Sequence, residues 1–249
     1  MNQGLDITEL SRVNDSKARV ITSARPCRLM VANAKGGCGK TTLATNTAAY
    51  FAKQGGHVAL IDYDPQGSST QWLQARNDTL PNIYAVEAFR KFDTHATRAF
   101  QRKVPSDTSH VIIDTPAGLA SNHLSDIIRQ SDMIVIPVVP SAIDIRAATG
   151  FIKDVLLSPG FRAAPKPIAV VANRVKRNTL GYSKLELFLN SLHIPFVTSL
   201  RDTQHYVRAA EYGMGLFDFS QPSTKDIEEW KPLLSWLNTH IDKIPKKSG

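Results

Sequence analysis

The stretch Leu29-Met30-Val31-Ala32-Asn33-Ala34-Lys35-Gly36-Gly37-Cys38-Gly39-Lys40-Thr41-Thr42-Leu43-Ala44 decides the fold. Leu29 to Ala32 is a short apolar run of strand type. From Lys40 to Gln54 the residues Leu43, Ala44, Thr47, Ala48 and Phe51 recur at helical spacing, and Gly55-Gly56 closes the helix. The turn between them carries Gly36, Gly37 and Gly39, which let backbone N–H groups converge on an anion with no Cβ in the way. The helix start adds its partial positive charge. In this context Lys40 reaches the β- and γ-phosphates of a nucleoside triphosphate, and the Thr41 hydroxyl is a ligand for magnesium. Strand, glycine turn and Lys-Thr at a helix start together read as a phosphate-binding loop.

Outward from that loop, apolar runs alternate with helical patterns, the signature of stacked strand-helix units. Strands are expected at Val58 to Ile61, Val111 to Ile113, Met133 to Val138, Ile168 to Val171 and Phe196 to Leu200. Helices are expected at Ile143 to Leu157, at Gln204 to Tyr212, and from Ser223 onward through Ile227, Trp230, Leu234, Leu237 and Ile241. Ser223 reads as the N-cap of the last helix, which Pro232 is expected to kink or split. The pattern predicts an α/β fold: a doubly wound, mostly parallel sheet flanked by helices, with ligands at the carboxyl ends of the strands. Residues 1–25 read as a polar tail with a short helix at Ile7 to Val13, and residues 26–249 as one domain.

The bulk numbers agree with a globular chain. Of 249 residues, 42% are apolar and 21% charged, enough to build a sizeable core. The net charge of +8 favours polyanionic partners. Two cysteines, Cys27 and Cys38, are too few for a disulfide framework and suit a reducing compartment. The polar start and the shortness of the longest apolar run, Met133 to Val139, lead to the expectation of a cytoplasmic protein with no membrane partner.

The loop also departs from the commonest phosphate-loop pattern. Ala34 stands where glycine is usual, and a second lysine, Lys35, opens the loop. On these residues the chain resembles the deviant Walker A family of P-loop ATPases that includes ParA, MinD and nitrogenase iron protein. The resemblance implies ATP and Mg2+ as cofactors, bound by Lys35, Gly36, Gly37, Cys38, Gly39, Lys40, Thr41 and Thr42. It also implies an ATP-dependent homodimer in which Lys35 crosses the interface to the other subunit's nucleotide, stabilising charge as an arginine finger does elsewhere.

The likeness continues down the chain, over about residues 28 to 220. Asp62-Tyr63-Asp64-Pro65-Gln66-Gly67 is similar to the ParA switch I motif. By that likeness Asp64 orients the attacking water and Asp62 supports the magnesium shell. His110-Val111-Ile112-Ile113-Asp114-Thr115-Pro116-Ala117-Gly118 has the Walker B pattern, with Asp114 holding magnesium through water and Gly118 in switch II. Pro140 to Arg146 matches a dimer-interface region, and Asn173 in Val171-Ala172-Asn173-Arg174 stands at the asparagine that contacts adenine. Plainer readings stay open beside these. Lys35 can face solvent, Asp62 and Asp64 can cap a following helix, and Asn173 can be a turn residue.

The family expectation is a ParA-like positioning ATPase. It binds DNA non-specifically, associates with the nucleoid, and hydrolyses ATP slowly until a ParB-like or equivalent activator on the cargo stimulates it. The cargo is a plasmid, a chromosomal locus or a protein assembly such as a carboxysome. Arg174, Lys176, Arg177, Arg201 and Arg208 are the candidate DNA contacts, an ordinary solvated face being the alternative. Lys243, Lys246 and Lys247 form a basic tail. Only about 27 residues precede the first strand, too few for the helix-turn-helix module of some larger ParA proteins. The rival functions are a dethiobiotin synthetase-like enzyme on the same fold and MinD-like membrane cycling. Pro245 to Gly249 offers no apolar face for the second of these. Cys38, where the family has a small aliphatic residue, is either an apolar filler or an oxidisable thiol in the anion loop.

Overall fold

In a computed structural model of the chain, the described residues are 25–89, 104–176, Ser183, Leu187 and 194–244. The tail up to residue 24, the helix expected at Ile7 to Val13, Arg177, Lys246 and Lys247 lie outside them.

Seven strands pair in parallel: β1 (Cys27–Val31), β2 (Val58–Asp62), β3 (Ile83–Glu87), β4 (His110–Asp114), β5 (Met133–Val138), β6 (Ile168–Val175) and β7 (Phe196–Arg201). Their order is β3-β2-β4-β1-β5-β6-β7. Helices cover both faces: α1 (Lys40–Lys53), α2 (Ser68–Gln74), α3 (Ser121–Gln130), α4 (Ala142–Leu157), α5 (Pro159–Ala163), α6 (Gln204–Glu211) and α7 (Thr224–Ile241). Coverage on both sides explains why the central strands read as continuous apolar runs. In β1, Leu29 and Val31 pack on one face with Leu43 and Ala48 of α1 and Trp230 and Leu237 of α7. Met30, with Ala32 just past the strand end, packs on the other face with Ile127 and Ile128 of α3 and Ile152 and Val155 of α4.

Four elements had no clear sequence signal. β3 is an edge strand whose burial alternates poorly, with only Ile83 and Val86 buried. α2 and α5 are seven and five residues long, too short for a period to show. α3 is polar except for Leu124, Ile127 and Ile128 on its inner side. The last helix is not split. It runs through Pro232 unbroken, held by Trp230, Leu233, Leu234 and Leu237 in the core. Ser223 sits at its N-cap position without a capping bond, because its Oγ accepts from the Arg201 guanidinium at 3.2 Å.

One buried ion pair ties α2 to the segment after α6. At the end of α2, Arg76 binds Asp218 at 2.7 Å, with side-chain exposures of 5% and 0%. The same guanidinium donates to the Gly213 carbonyl at 2.8 Å and lies over the Trp72 ring. The Trp72 indole N–H donates to the Met214 carbonyl. Removing one partner of such a pair strands a buried charge, at a cost of about 3–5 kcal/mol. Asn46 of α1 anchors the segment from the other side by accepting from the Leu216 N–H at 2.7 Å.

Candidate functional site

The strand order sends the chain from β1 outward past β4 to β2, and later from β5 toward the opposite edge, so the carboxyl ends near β1 face a crevice. Register places Val31 beside Asp114 and Asp114 beside Asp62. The loop from Asn33 to Gly39 therefore opens next to two strand-end carboxylates. A cleft of about 720 Å³, a size common for small-molecule sites, lies there. Gly36, Gly37, Gly39, Lys40, Thr41, Thr42, Asp64, Ser68, Asn173 and Arg174 are among the residues lining it.

The phosphate loop is fixed mainly through its carbonyls and its first residues. Asn33 donates to the Pro137 carbonyl at 2.7 Å and accepts from the Lys35 N–H at 3.2 Å. The Lys35 carbonyl accepts from Lys40 Nζ at 3.0 Å and from Cys38 Sγ at 3.2 Å. Gly37 and Gly39 adopt φ of 73° and 93°, the left-handed region that glycine enters without strain. Lys40 is buried, whereas Lys35 is exposed and keeps its side chain at the surface. Cys38 is buried and desolvation raises its thiol pKa, the state of an apolar filler rather than of a reactive thiolate.

Asp114 is the electrostatic centre. Its Oδ2 accepts from Thr41 Oγ1 at 2.7 Å and from Ser69 Oγ at 2.6 Å. Its Oδ1 is buried with no hydrogen-bond partner among the described residues. Burial pushes the carboxyl up to about 6, against the opposing pull of the two hydroxyls. An orphaned carboxylate oxygen beside two hydroxyls is an oxygen donor set that fits a hard divalent cation. No cluster of three acidic, histidine or cysteine groups stands among the described residues. Magnesium would thus be held by Thr41 and Asp114 together with substrate phosphates and water, as is usual for that ion.

This carboxyl also gives a pH test. With a folded pKa near 6 and an ordinary value of 3.8, the folded chain binds the proton more tightly than the unfolded chain. Stability without nucleotide therefore falls as pH rises across that window, by on the order of 2–3 kcal/mol. Asp114→Asn is expected to remove this part of the slope in melting curves taken between pH 4 and 7. An unchanged slope would mean that the carboxyl is not desolvated.

Asp62, expected to support the magnesium shell, is engaged by neighbouring donors. Its Oδ1 accepts from the Asp64 N–H, and its Oδ2 from the Thr70 N–H and Oγ1, all at 3.0 Å. Asp62 therefore folds the loop over Asp64 to Gly67 and caps α2, and burial raises its pKa. Asp64 stands half-buried at the cleft rim, with its Oδ1 accepting from the Gln66 N–H at 3.0 Å. Gly118 is exposed at φ 68°. Asn173 is buried, and its amide nitrogen donates to the Cys38 carbonyl at 2.9 Å.

The structure divides the five expected DNA contacts. Arg174 turns toward the phosphate loop, 3.3 Å from the Gly37 carbonyl, and Arg201 binds buried Asp226 at 2.6 Å. Arg208 and Lys176 are exposed, and Arg177 lies outside the described residues. Three site residues escaped the sequence reading: Ser69, Asn33 and Thr115, whose hydroxyl donates to the Val31 carbonyl. Only Ser69 left a signal there, as a hydroxyl seven residues after Asp62, just past the switch-like run.

A strand-loop-helix anion cradle with a buried lysine, a helix-start threonine and a strand-end aspartate defines a P-loop nucleotide-binding protein. Residues 29–217 match the model of the CobQ/CobB/MinD/ParA nucleotide binding domain, and the chain belongs to that family. Among curated relatives, the maintenance of carboxysome distribution protein A of Halothiobacillus neapolitanus is 28% identical over 86% of this chain and 98% of its own length. The protein of the same name from Gloeobacter kilaueensis is 28% identical over 83% of this chain and 91% of its own. Among solved structures, the ATP complex of a McdA variant from Cyanothece superposes with a TM-score of 0.67 at 16% identity, covering 91% of this chain and all of that one. A plasmid partition protein of Borrelia burgdorferi bound to AMPPNP reaches 0.66 at 18% identity, over 86% of this chain and all of that one. These likenesses bear out the doubly wound sheet and the ParA/MinD resemblance. No helix of the described residues is long and apolar enough to cross a membrane.

Proposed function

We propose that the chain is a ParA-like positioning ATPase. It binds ATP with magnesium, closes as a homodimer around two nucleotides, and in that state holds non-specific DNA of the nucleoid. A cargo-bound activator speeds an otherwise slow hydrolysis and releases it. The observation that carries this reading is the pair of lysines on one loop: Lys40 is buried against the Lys35 carbonyl, while the Lys35 side chain is exposed above a backbone pinned at both ends. An exposed lysine at the mouth of a phosphate loop suits contact with a second subunit's phosphates better than with its own.

The residues divide the work. Backbone N–H groups of the loop and Lys40 bind the phosphates. Thr41 and Asp114 hold magnesium, which when bound neutralises phosphate charge. Asp64, set at the rim by its turn, orients the water that attacks. The relatives named for carboxysome distribution favour a protein assembly as cargo over a plasmid or a chromosomal locus. The net charge of +8 is consistent with a polyanionic surface to ride on.

The test is retention on non-specific DNA with ATP, with ADP, and without nucleotide, beside anionic liposomes under the same conditions. DNA retention with ATP that is lost with ADP and weakens steeply with salt is the expected result. Retention on liposomes alone would move the reading to membrane cycling. Binding to neither, with ATP turned over, would move it to a metabolite enzyme.

A further inference from the structure

The geometry points to Ser69 as a positioning residue of the magnesium site. Acting through Asp114, its hydroxyl leaves one carboxylate oxygen open to the ion or its water, and ties α2 to that ion. This rests on the nucleotide-binding reading above. Ser69 is 0% exposed and lies in the first turn of α2, two residues past Gly67. Its Oγ donates to Asp114 Oδ2 at 2.6 Å, the oxygen that also accepts from Thr41 Oγ1 at 2.7 Å.

One oxygen thus gathers hydroxyls from two helices, α1 and α2. An ionised carboxylate can only accept, while a hydroxyl has one proton to give and two lone pairs to keep. With both protons on Oδ2, Oδ1 is left over, buried and without a hydrogen-bond partner among the described residues. The Thr41 oxygen keeps its lone pairs for a cation. A carboxylate turns on a broad torsion rather than in sharp rotamers, so one hydroxyl alone holds its plane loosely. A second donor, from another helix, fixes it. Outer partners of this kind orient a metal's own ligands.

Sheet register makes the arrangement possible. Asp62 and Asp114 stand side by side on β2 and β4. The first turn of α2 offers one hydroxyl to each: Ser69 to Asp114, and Thr70 to Asp62 at 3.0 Å. The helix starts where the turn from Asp64 to Gly67 ends, so a pull on Asp114 by the ion is passed to the segment that carries Asp64.

Affinity for ATP is to be measured on the full chain in excess Mg2+ and in EDTA, for the wild type, Ser69→Ala and Ser69→Cys. Cysteine fills the space of serine but donates only weakly. Asp114 keeps the Thr41 hydroxyl in both variants, so neither leaves Oδ2 bare. Both are expected to keep the EDTA affinity within about twofold and to lose about 10-fold of the gain that Mg2+ brings. Hydrogen exchange over residues 68–74 gives a second readout that needs no turnover. In the wild type it is expected to slow more with MgATP than with ATP in EDTA, and in Ser69→Ala that difference is expected to shrink. A variant that lost affinity equally with and without Mg2+ would make Ser69 a brace of the fold and overturn the proposal. Affinities equal to wild type would also overturn it, as would a wild type whose ATP affinity ignores Mg2+. Ser69→Cys matching the wild type where Ser69→Ala does not would overturn it too, since packing would then account for the loss. A wild type that binds ATP in neither condition refutes nucleotide binding itself, a separate failure.

Discussion

Lys40→Ala is expected to bind MgATP about 100-fold more weakly while folding at least as well as the wild type. The lysine is buried, and its ammonium has a carbonyl to bind, that of Lys35 at 3.0 Å. Its hydrogen bond goes to a neutral acceptor, and the Asp114 carboxyl adds only a charge interaction without a hydrogen bond, so the buried cation is costly to hold and its removal relieves the fold. Bound phosphates convert the same cation into half of a charge-assisted pair worth about 1.5–3 kcal/mol per hydrogen bond. Two measurements check this: ATP affinity by calorimetry, and the melting temperature without nucleotide. A variant that lost binding and stability together would mean that Lys40 is chiefly a brace of the loop.

Asp64→Asn should leave MgATP affinity within about threefold of wild type and lower the turnover rate by about 100-fold or more. Asparagine keeps the side-chain oxygen that accepts from the Gln66 N–H, so the turn over residues 64 to 67 survives. What it loses is the negative charge to which the proposed function gives the orienting of the attacking water. The measurement is single-turnover hydrolysis beside equilibrium binding. If turnover fell only as far as affinity did, the carboxylate would be a binding group and the water would be held elsewhere.

Much of this site was legible from the residues alone because its chemistry sits at strand ends, where a rigid sheet converts spacing in sequence into placement in space. Val31, Asp62 and Asp114 are far apart along the chain yet side by side in register. The glycine turn, Lys40, Thr41 and both aspartates could be read from local pattern. What stayed hidden depends on contacts between segments. Nothing near Asn173 in sequence says that its amide faces the Cys38 carbonyl, nor that Arg174 bends back over the loop. No local pattern tells that one carboxylate oxygen of Asp62, expected to support the magnesium shell, accepts from both the N–H and the hydroxyl of Thr70, eight residues on. Short elements such as α2 were missed because seven residues make barely two turns.

The Arg76–Asp218 pair has a mechanical corollary. With its far end bolted to residues 213–218, α2 is a lever fixed at one end, and its near end meets Asp64 through Gly67, which holds φ 67° without strain. A push on Asp64 from the cleft therefore either rotates that lever about its bolt or tugs the bolt itself. The bolt leads directly into α6, whose Tyr206 and Val207 line the opposite wall of the same cleft. Both walls are thus joined through one buried ion pair.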